Sequence, residues 1–246
     1  MYQDEMANSG RRLFFIRGTY IYTVIAIGTV IVWHGDSHGP FEDAAANRIW
    51  FWLALAVAML GATIRVVTSG FAALGTSGRA KAAAEAAELN VTGPYSLVRN
   101  PLYLGRILNF TGIAMMTGSW VYGIIVFLLA ILIYERISVY EEEFLRSKFG
   151  EAHTRWAAAV PGLMPRLKGW VKPKYPFWWR RMLWREQNKL FLLATAVVLY
   201  HLAWFDFDPG AIPVHYLPWL YAYATLFVIR FIIGGLKMSG HFRDLS

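Results

Sequence analysis

Long apolar runs alternate with short polar clusters along this chain. Residues 13–33 are apolar apart from Arg17, residues 49–67 form a second run with Arg65 near its end, and residues 190–205 and 214–236 form the last two. Each of the first two runs is about 20 residues, enough to cross a hydrocarbon core of roughly 30 Å as a helix. No small-residue cleavage site follows the first run, so it is expected to be a membrane helix and not a removable signal. The run at 104–134 is different. As one straight helix it would measure about 46 Å, half as long again as that core, and Gly118-Ser119-Trp120 offers a break that folds it into a hairpin. Six crossings result. They place both termini and the basic residues Arg79, Lys81, Arg99, Arg136, Arg146, Lys148 and Arg155 on the cytoplasmic side. Asp36, Glu42, Asp43, Asp206 and Asp208 fall on the other.

The polar stretches carry their own patterns. RAKAAAEAAELN at 79–90 predicts a helical patch. Residues 135–156 predict one mostly amphipathic helix with Phe144, Leu145, Phe149 and Trp156 on its apolar side, stopped by Val160-Pro161 and Pro165. The stretch YPFWWRRMLWRE at 175–186 interleaves tryptophan with arginine and suits a segment lying in the headgroup layer. Arg65 and Arg230 are expected to snorkel to the interface, and His201, close to a helix end, is read as structural. Three parts follow: residues 1–48 as a first transmembrane helix and outer loop, 49–166 as a core, and 167–246 as an interfacial segment with two further spans.

Composition narrows the class. The 246 residues are 57% hydrophobic, 16% aromatic and 16% charged, outside the range of soluble domains. The fold class expected is all-α, a polytopic membrane bundle of about six transmembrane helices. The net charge of +8 invites a nucleic-acid partner, but the basic residues flank apolar runs, so anionic lipid head groups are the expected partner and nucleic acid is not. With no cysteine there are no disulfides, thiolate nucleophiles or thiolate metal sites. His34 and His38 lie four apart across Gly-Asp-Ser, in a loop, and no metal site is expected.

Two polar clusters carry the chemistry. In GPYSLVRNPLYLG, from Gly93 to Gly105, Pro94 and Pro101 fix backbone angles and the glycines permit turns or close approach. Tyr95 and Tyr103 offer flat faces with hydroxyls, and Arg99 offers a permanent fork of donors. Such a loop suits a ligand with an aromatic ring and a carboxylate. About forty residues on, the Glu141-Glu142 pair adds carboxylates able to accept from ribose hydroxyls or to balance a cation. Taken singly, Arg99 reads better as a lipid-phosphate contact and the glutamates as a solvated helix face.

Taken together, the spacing G-x-Y-x-x-x-R-x-P-x-Y-x-G, a helical hairpin, then E-E-x-x-L-x-x-x-F-G ending in V-P resembles the isoprenylcysteine carboxyl methyltransferase and phospholipid methyltransferase superfamily. The matching residues are Gly93, Tyr95, Arg99, Pro101, Tyr103 and Gly105, then Glu141, Glu142, Leu145, Phe149, Gly150, Val160 and Pro161. The resemblance implies an integral membrane enzyme that binds S-adenosylmethionine and methylates an amphiphile, a lipid or prenylated acid, drawn from the bilayer. Carried over from it, the cofactor site comprises Glu88, Leu89, Asn90, Tyr95, Asn100, Pro101, Leu102, Tyr103 and Glu141. Arg99 and Glu142 take the catalytic positions, and Arg136 and Arg106 are placed on the substrate head group. Three departures stand out. Asn100 replaces the usual histidine, His153 and Trp156 replace the usual tyrosines, and Ile137 stands where an arginine for a substrate carboxylate is expected, with Arg136 beside it.

Methyl transfer from a sulfonium needs nucleophile and methyl held on one axis with water excluded. Attack by a carboxylate cancels charge, so a dry pocket favours it. Carboxyl O-methylation of an isoprenylcysteine-type acid leads, with a phospholipid amine or lipid phosphate as alternative acceptors. A nicotinamide-dependent membrane reductase and a non-catalytic lipid-binding protein are the readings of other classes. No metal and no covalent enzyme intermediate is expected. The methylated amphiphile, the organelle and the oligomeric state are left open by the sequence.

Overall fold

The computed structural model describes residues 2–35, 39–76 and 86–239. Its helices are α1 (Tyr2–Ile16), α2 (Tyr20–His34), α3 (Ala44–Phe71), α4 (Pro101–Met115), α5 (Trp120–Phe149), α6 (Glu151–Ala159), α7 (Trp179–Trp204) and α8 (Leu217–Met238). No sheet forms among the described residues beyond an isolated bridge from Thr76 to Ala86. The helical patch expected at 79–90 falls largely on residues outside the described ones, as do Arg79, Lys81, Asp36 and His38.

The expected hairpin forms. Helix α4 ends at Met115 and α5 begins at Trp120. Gly118 turns the chain with a φ of 82°, a conformation open to a residue without Cβ, and Ser119 caps α5 by accepting from the Tyr122 N–H at 3.2 Å. Helices α3 and α4 are the closest pair of the core. A Cβ on Gly61 would collide with the Gly105 carbonyl, and one on Gly112 with the Ala54 carbonyl and the backbone of Ala58, so small residues let the two backbones approach as membrane helices do. Asn109 seals the seam, its Nδ2 donating to the Ala58 carbonyl at 3.1 Å. Large apolar side chains such as Trp52, Leu53 and Leu60 on α3 and Ile124, Leu128 and Leu132 on α5 are exposed, as lipid-facing positions are.

The sequence pattern misplaces several boundaries. Instead of one span at 13–33 there are two helices bent by 71°. Arg17, Gly18 and Thr19 interrupt the helix, and α1 turns aside to lie on α5, where Phe14 meets the Tyr140 ring edge-on at 5.5 Å. Helix α5 does not end at Tyr134 but runs 30 residues to Phe149, about 45 Å. The amphipathic stretch is its continuation, and Gly150 separates it from α6. Among the described residues three helices, α3, α5 and α8, are long and apolar enough to cross a membrane, or four if the α1–α2 pair counts as one, where six crossings were expected. The shortfall lies in α4, with 15 residues, and α7, whose first third is charged. The acidic loops do gather at one end: Trp33 meets Phe207 edge-on at 5.7 Å, and Trp50 Nε1 donates to the Met115 carbonyl of the hairpin turn at 2.8 Å.

The YPFWWRRMLWRE stretch exposes Trp179 and Leu183, as an interfacial segment would, but buries its other face. From Trp179 on it is the first turns of α7, and Arg181, Trp184 and Glu186 are buried. The Arg181 guanidinium donates to the Ala72 and Ala73 carbonyls at the end of α3. Nor does Arg65 snorkel: it is buried in a two-pronged pair with Glu186, Nε to Oε2 at 2.9 Å and Nη2 to Oε1 at 3.0 Å. A cation inside an apolar helix requires a counter-charge, and α7 supplies it from 121 positions away.

Candidate active site

The loop that opens with Gly93 is built by its prolines. Pro94 starts a single 3-10 turn, Gly93–Ser96, and Pro101 starts α4, each at a first-turn position where no N–H is needed. Tyr103 and Gly105 therefore sit on α4, not in the loop. Backbone groups left over by so short a turn are satisfied from a strap at 160–178 that runs back across it. The Arg99 N–H donates to the Pro161 carbonyl at 2.8 Å, Asn100 N–H to Gly162 at 3.2 Å, and Gly93 N–H to Val171 at 2.9 Å. Ser96 Oγ accepts from the Val171 N–H at 3.0 Å and donates to the Gly93 carbonyl at 2.7 Å. The Val160-Pro161 motif thus has a mechanical reason: its carbonyl holds the arginine's backbone.

The two clusters meet at one cavity of about 600 Å³. Glu88, Leu89, Asn90, Tyr95, Asn100, Pro101, Leu102, Tyr103 and Glu141 all line it, with Arg99 and Arg106. Glu142 does not. It stands behind the wall, 3.2 Å from Arg99 Nε and accepting from Asn100 Nδ2 at 3.1 Å. Arg99 also donates from Nη1 to the Ala157 carbonyl at 3.2 Å, so its guanidinium is clamped between α5 and α6. Arg136 lies outside the lining and donates back to the Leu132 carbonyl of its own helix.

Each wall is fastened by side chains the loop alone does not provide. Asn90 bridges the end of α3, accepting from the Ala73 N–H and donating to Thr76 Oγ1, both at 2.9 Å. Glu88 receives hydrogen bonds from Lys174 and Tyr175 of the strap, which together hold its carboxyl below the ordinary glutamate range. Trp156 Nε1 donates to the Tyr95 carbonyl at 3.2 Å. His153, fully buried beneath it, has no hydrogen-bond partner for either ring nitrogen among the described residues, and burial, with Arg146 and Arg99 nearby, pushes its pKa down. Tyr103 stacks on Tyr134 at 5.1 Å and turns its hydroxyl toward Glu141.

Sequence reasoning missed one side of the cavity. Arg17, Arg65, Glu186, Asn188, Lys189 and Arg230 line it too, from α3, α7, α8 and the α1–α2 break. Arg230 does not simply snorkel; its Nε donates to Asn188 Oδ1 at 3.1 Å. The signal was present as lone cations inside apolar runs, which mark a polar interior when they recur at similar depth.

Residues 51–152 match the phospholipid methyltransferase family. That family lies within the isoprenylcysteine carboxyl methyltransferase-like membrane superfamily, and the segment is similar to it. The matched segment carries most of α3, the binding loop, α4 and α5, whereas the strap, α7 and α8 lie beyond it. Over 144 residues the chain is 31% identical to the nickel-cobalt-cadmium resistance protein NccN of Alcaligenes xylosoxydans xylosoxydans, covering 58% of this chain and 62% of that protein. Over 115 residues it is 35% identical to the cobalt-zinc-cadmium resistance protein CzcN of Cupriavidus metallidurans, covering 47% of this chain and 50% of that one. The match thus spans between half and just under two thirds of these relatives. No solved structure matches the chain.

Proposed function

We propose that the protein is an S-adenosylmethionine-dependent methyltransferase acting on a membrane amphiphile, with carboxyl O-methylation the leading chemistry. The observation that carries this reading is that Tyr95, Asn100 and Tyr103 of one cluster and Glu141 of the other, held on separate helices, line one cavity. At about 600 Å³ it falls within the roughly 300–1,000 Å³ usual for cofactor sites. Its donor set fits the cofactor: Glu88 and Glu141 as acceptors for a ribose diol or an ammonium, Tyr95 and Trp156 as ring faces, Asn90 and Asn100 as amides. When bound, the cofactor supplies an electrophilic methyl group.

The chain's own residues orient and dry the site. The strap covers the loop, while Phe144, Leu145 and Trp156 wall the cavity with apolar surface. A carboxylate acceptor needs no base, in keeping with a lining whose eight Lys and Arg side chains outnumber its three carboxylates among the described residues. A protonated phospholipid amine would meet that excess as repulsion. The metal-resistance names of the relatives fit methylation of an envelope component better than coordination here, since the sequence has no cysteine and no group of three His, Cys, Asp or Glu is assembled among the described residues.

Calorimetric titration of the purified protein with S-adenosylhomocysteine tests the reading. Binding is expected, and Glu141→Gln is expected to weaken it by about tenfold or more, roughly 1.4 kcal/mol. Unchanged affinity in that variant removes Glu141 from the cofactor site. A response to NADPH in place of S-adenosylhomocysteine replaces the methyltransferase with a reductase.

A further inference from the structure

A second, smaller cleft of about 120 Å³ lies beside the main cavity on the side formed by α7. Arg65, Arg106, Asn188 and Lys189 line both, so they mark the join. Beyond it the cleft is bounded by Ile21 of α2, Phe110 of α4 and Leu192 of α7, apolar side chains of helices that form the bundle. A polar room, a cationic doorway and an apolar cleft therefore lie side by side.

The doorway's charge is lopsided. Its carboxylate, Glu186, is already held by both prongs of Arg65 and by Ser69 Oγ at 2.8 Å. Lys189 lies 3.4 Å from the same carboxylate and shares it. Arg106 donates one N–H to the Arg17 carbonyl at 2.8 Å, and Arg230 donates Nε to Asn188 Oδ1. A guanidinium has five donors, so neither bond exhausts it. Concentrated positive charge in a partly dry join beside an apolar passage binds an anion carried on a hydrocarbon tail.

We propose that this join is the acceptor's head-group subsite, that it takes an acidic amphiphile (a carboxylate or phosphate monoester on an apolar tail), and that Lys189 and Arg230, from helices beyond the family segment, set this preference together with Arg106. The tail leaves through the cleft past Gly18, between α2 and α7. The inference rests on the methyltransferase reading only for what is done to the head group.

The test uses the full chain in maltoside micelles with photoreactive diazirine probes of one tail length bearing a carboxylate, a phosphate, an alcohol or an amine. The carboxylate and phosphate probes are expected to label peptides containing Ile21 and Leu192, in competition with oleate and not with oleylamine. A Cβ at Gly18 meets nothing within 4 Å, so Gly18→Leu is compatible with the fold, and by filling the passage it is expected to lower labelling about tenfold. Arg230→Gln and Lys189→Gln are expected to weaken the acidic probes by about three- to tenfold, with the amine probe unaffected. Equal labelling by the amine probe, or labelling indifferent to Gly18→Leu, overturns the proposal. S-adenosylhomocysteine affinity, measured alongside, separates the two readings. Acid-selective labelling without cofactor binding sustains the subsite and removes the methyltransferase, and cofactor binding without acid selectivity does the reverse.

Discussion

Asn100 Nδ2 donates to Glu142 Oε1 at 3.1 Å and to the Gly162 carbonyl at 3.3 Å, tying the binding loop to α5 and to the strap through one amide. This is the position where the superfamily usually has histidine. Asn100→Leu leaves both acceptors without that donor and is expected to cost about 1–3 kcal/mol. Glu142→Gln keeps an oxygen for Asn100 and removes only the charge facing Arg99, a part-exposed pair worth at most about 1 kcal/mol. Thermal melts of the two variants rank them. Loss of S-adenosylhomocysteine binding in Glu142→Gln with an unchanged melt would place that carboxylate on the ligand and not behind the wall.

The Arg65–Glu186 pair joins α3 to α7, and Arg65 Nη1 also donates to the Leu102 carbonyl in the first turn of α4 at 2.9 Å. Removing one member leaves a buried charge with its partner gone. Glu186→Ala is expected to lose about 3–5 kcal/mol, and Arg65→Lys, which cannot span both prongs and the carbonyl, to lose a substantial part of that. Denaturant unfolding in micelles followed by tryptophan fluorescence checks both. A melt within about 0.5 kcal/mol of wild type, the usual scatter of surface changes, would show the pair to be dispensable.

His153 makes stability depend on pH. Its folded pKa lies below the ordinary 6.5, so as pH falls through 6.5 the unfolded chain takes up a proton that the folded one refuses. The stability is therefore present above pH 6.5 and is lost progressively as pH falls below it, by at most about 1.4 kcal/mol per pH unit. His153→Phe keeps a ring of similar size where neither nitrogen has a partner among the described residues. It is expected to flatten the melting temperature between about pH 6.5 and 5 relative to wild type. The same slope in both proteins would assign it to another group.

Where Gly61 faces Gly105, the helices touch backbone to backbone. Gly61→Leu forces α3 and α4 apart and is expected to cost more than the roughly 1–3 kcal/mol of ordinary overpacking. Because α4 carries Pro101, Leu102 and Tyr103 into the cavity, cofactor affinity should fall with stability. A variant that melts early yet binds S-adenosylhomocysteine normally would uncouple the seam from the site.

The hairpin at Gly118 was legible because a run at 104–134 is too long for the bilayer and a glycine sits where it must break. So was the meeting of the loop with Glu141, since both flank the same hairpin. The bend at Arg17 was not, because what α1 packs on, Tyr140, lies far along the chain. The change at Tyr134 from an all-apolar to an amphipathic pattern looked like a boundary, but between it and Gly150 there is no glycine or proline to stop the helix. Arg65 looked solitary for a similar reason: periodicity reports which face a residue occupies and not which distant carboxylate answers it.

Helix α5 also serves as a ruler. From Trp120 to Glu141 is 21 steps, about 31 Å along its axis, close to the roughly 30 Å of a hydrocarbon core. With the indole resting at one water boundary, the carboxylate stands at the opposite one, fixed there by an uninterrupted rod. A carboxylate at that height meets a lipid's polar end without lifting its chains out of the leaflet, and bilayer thickness becomes a variable the cavity must feel.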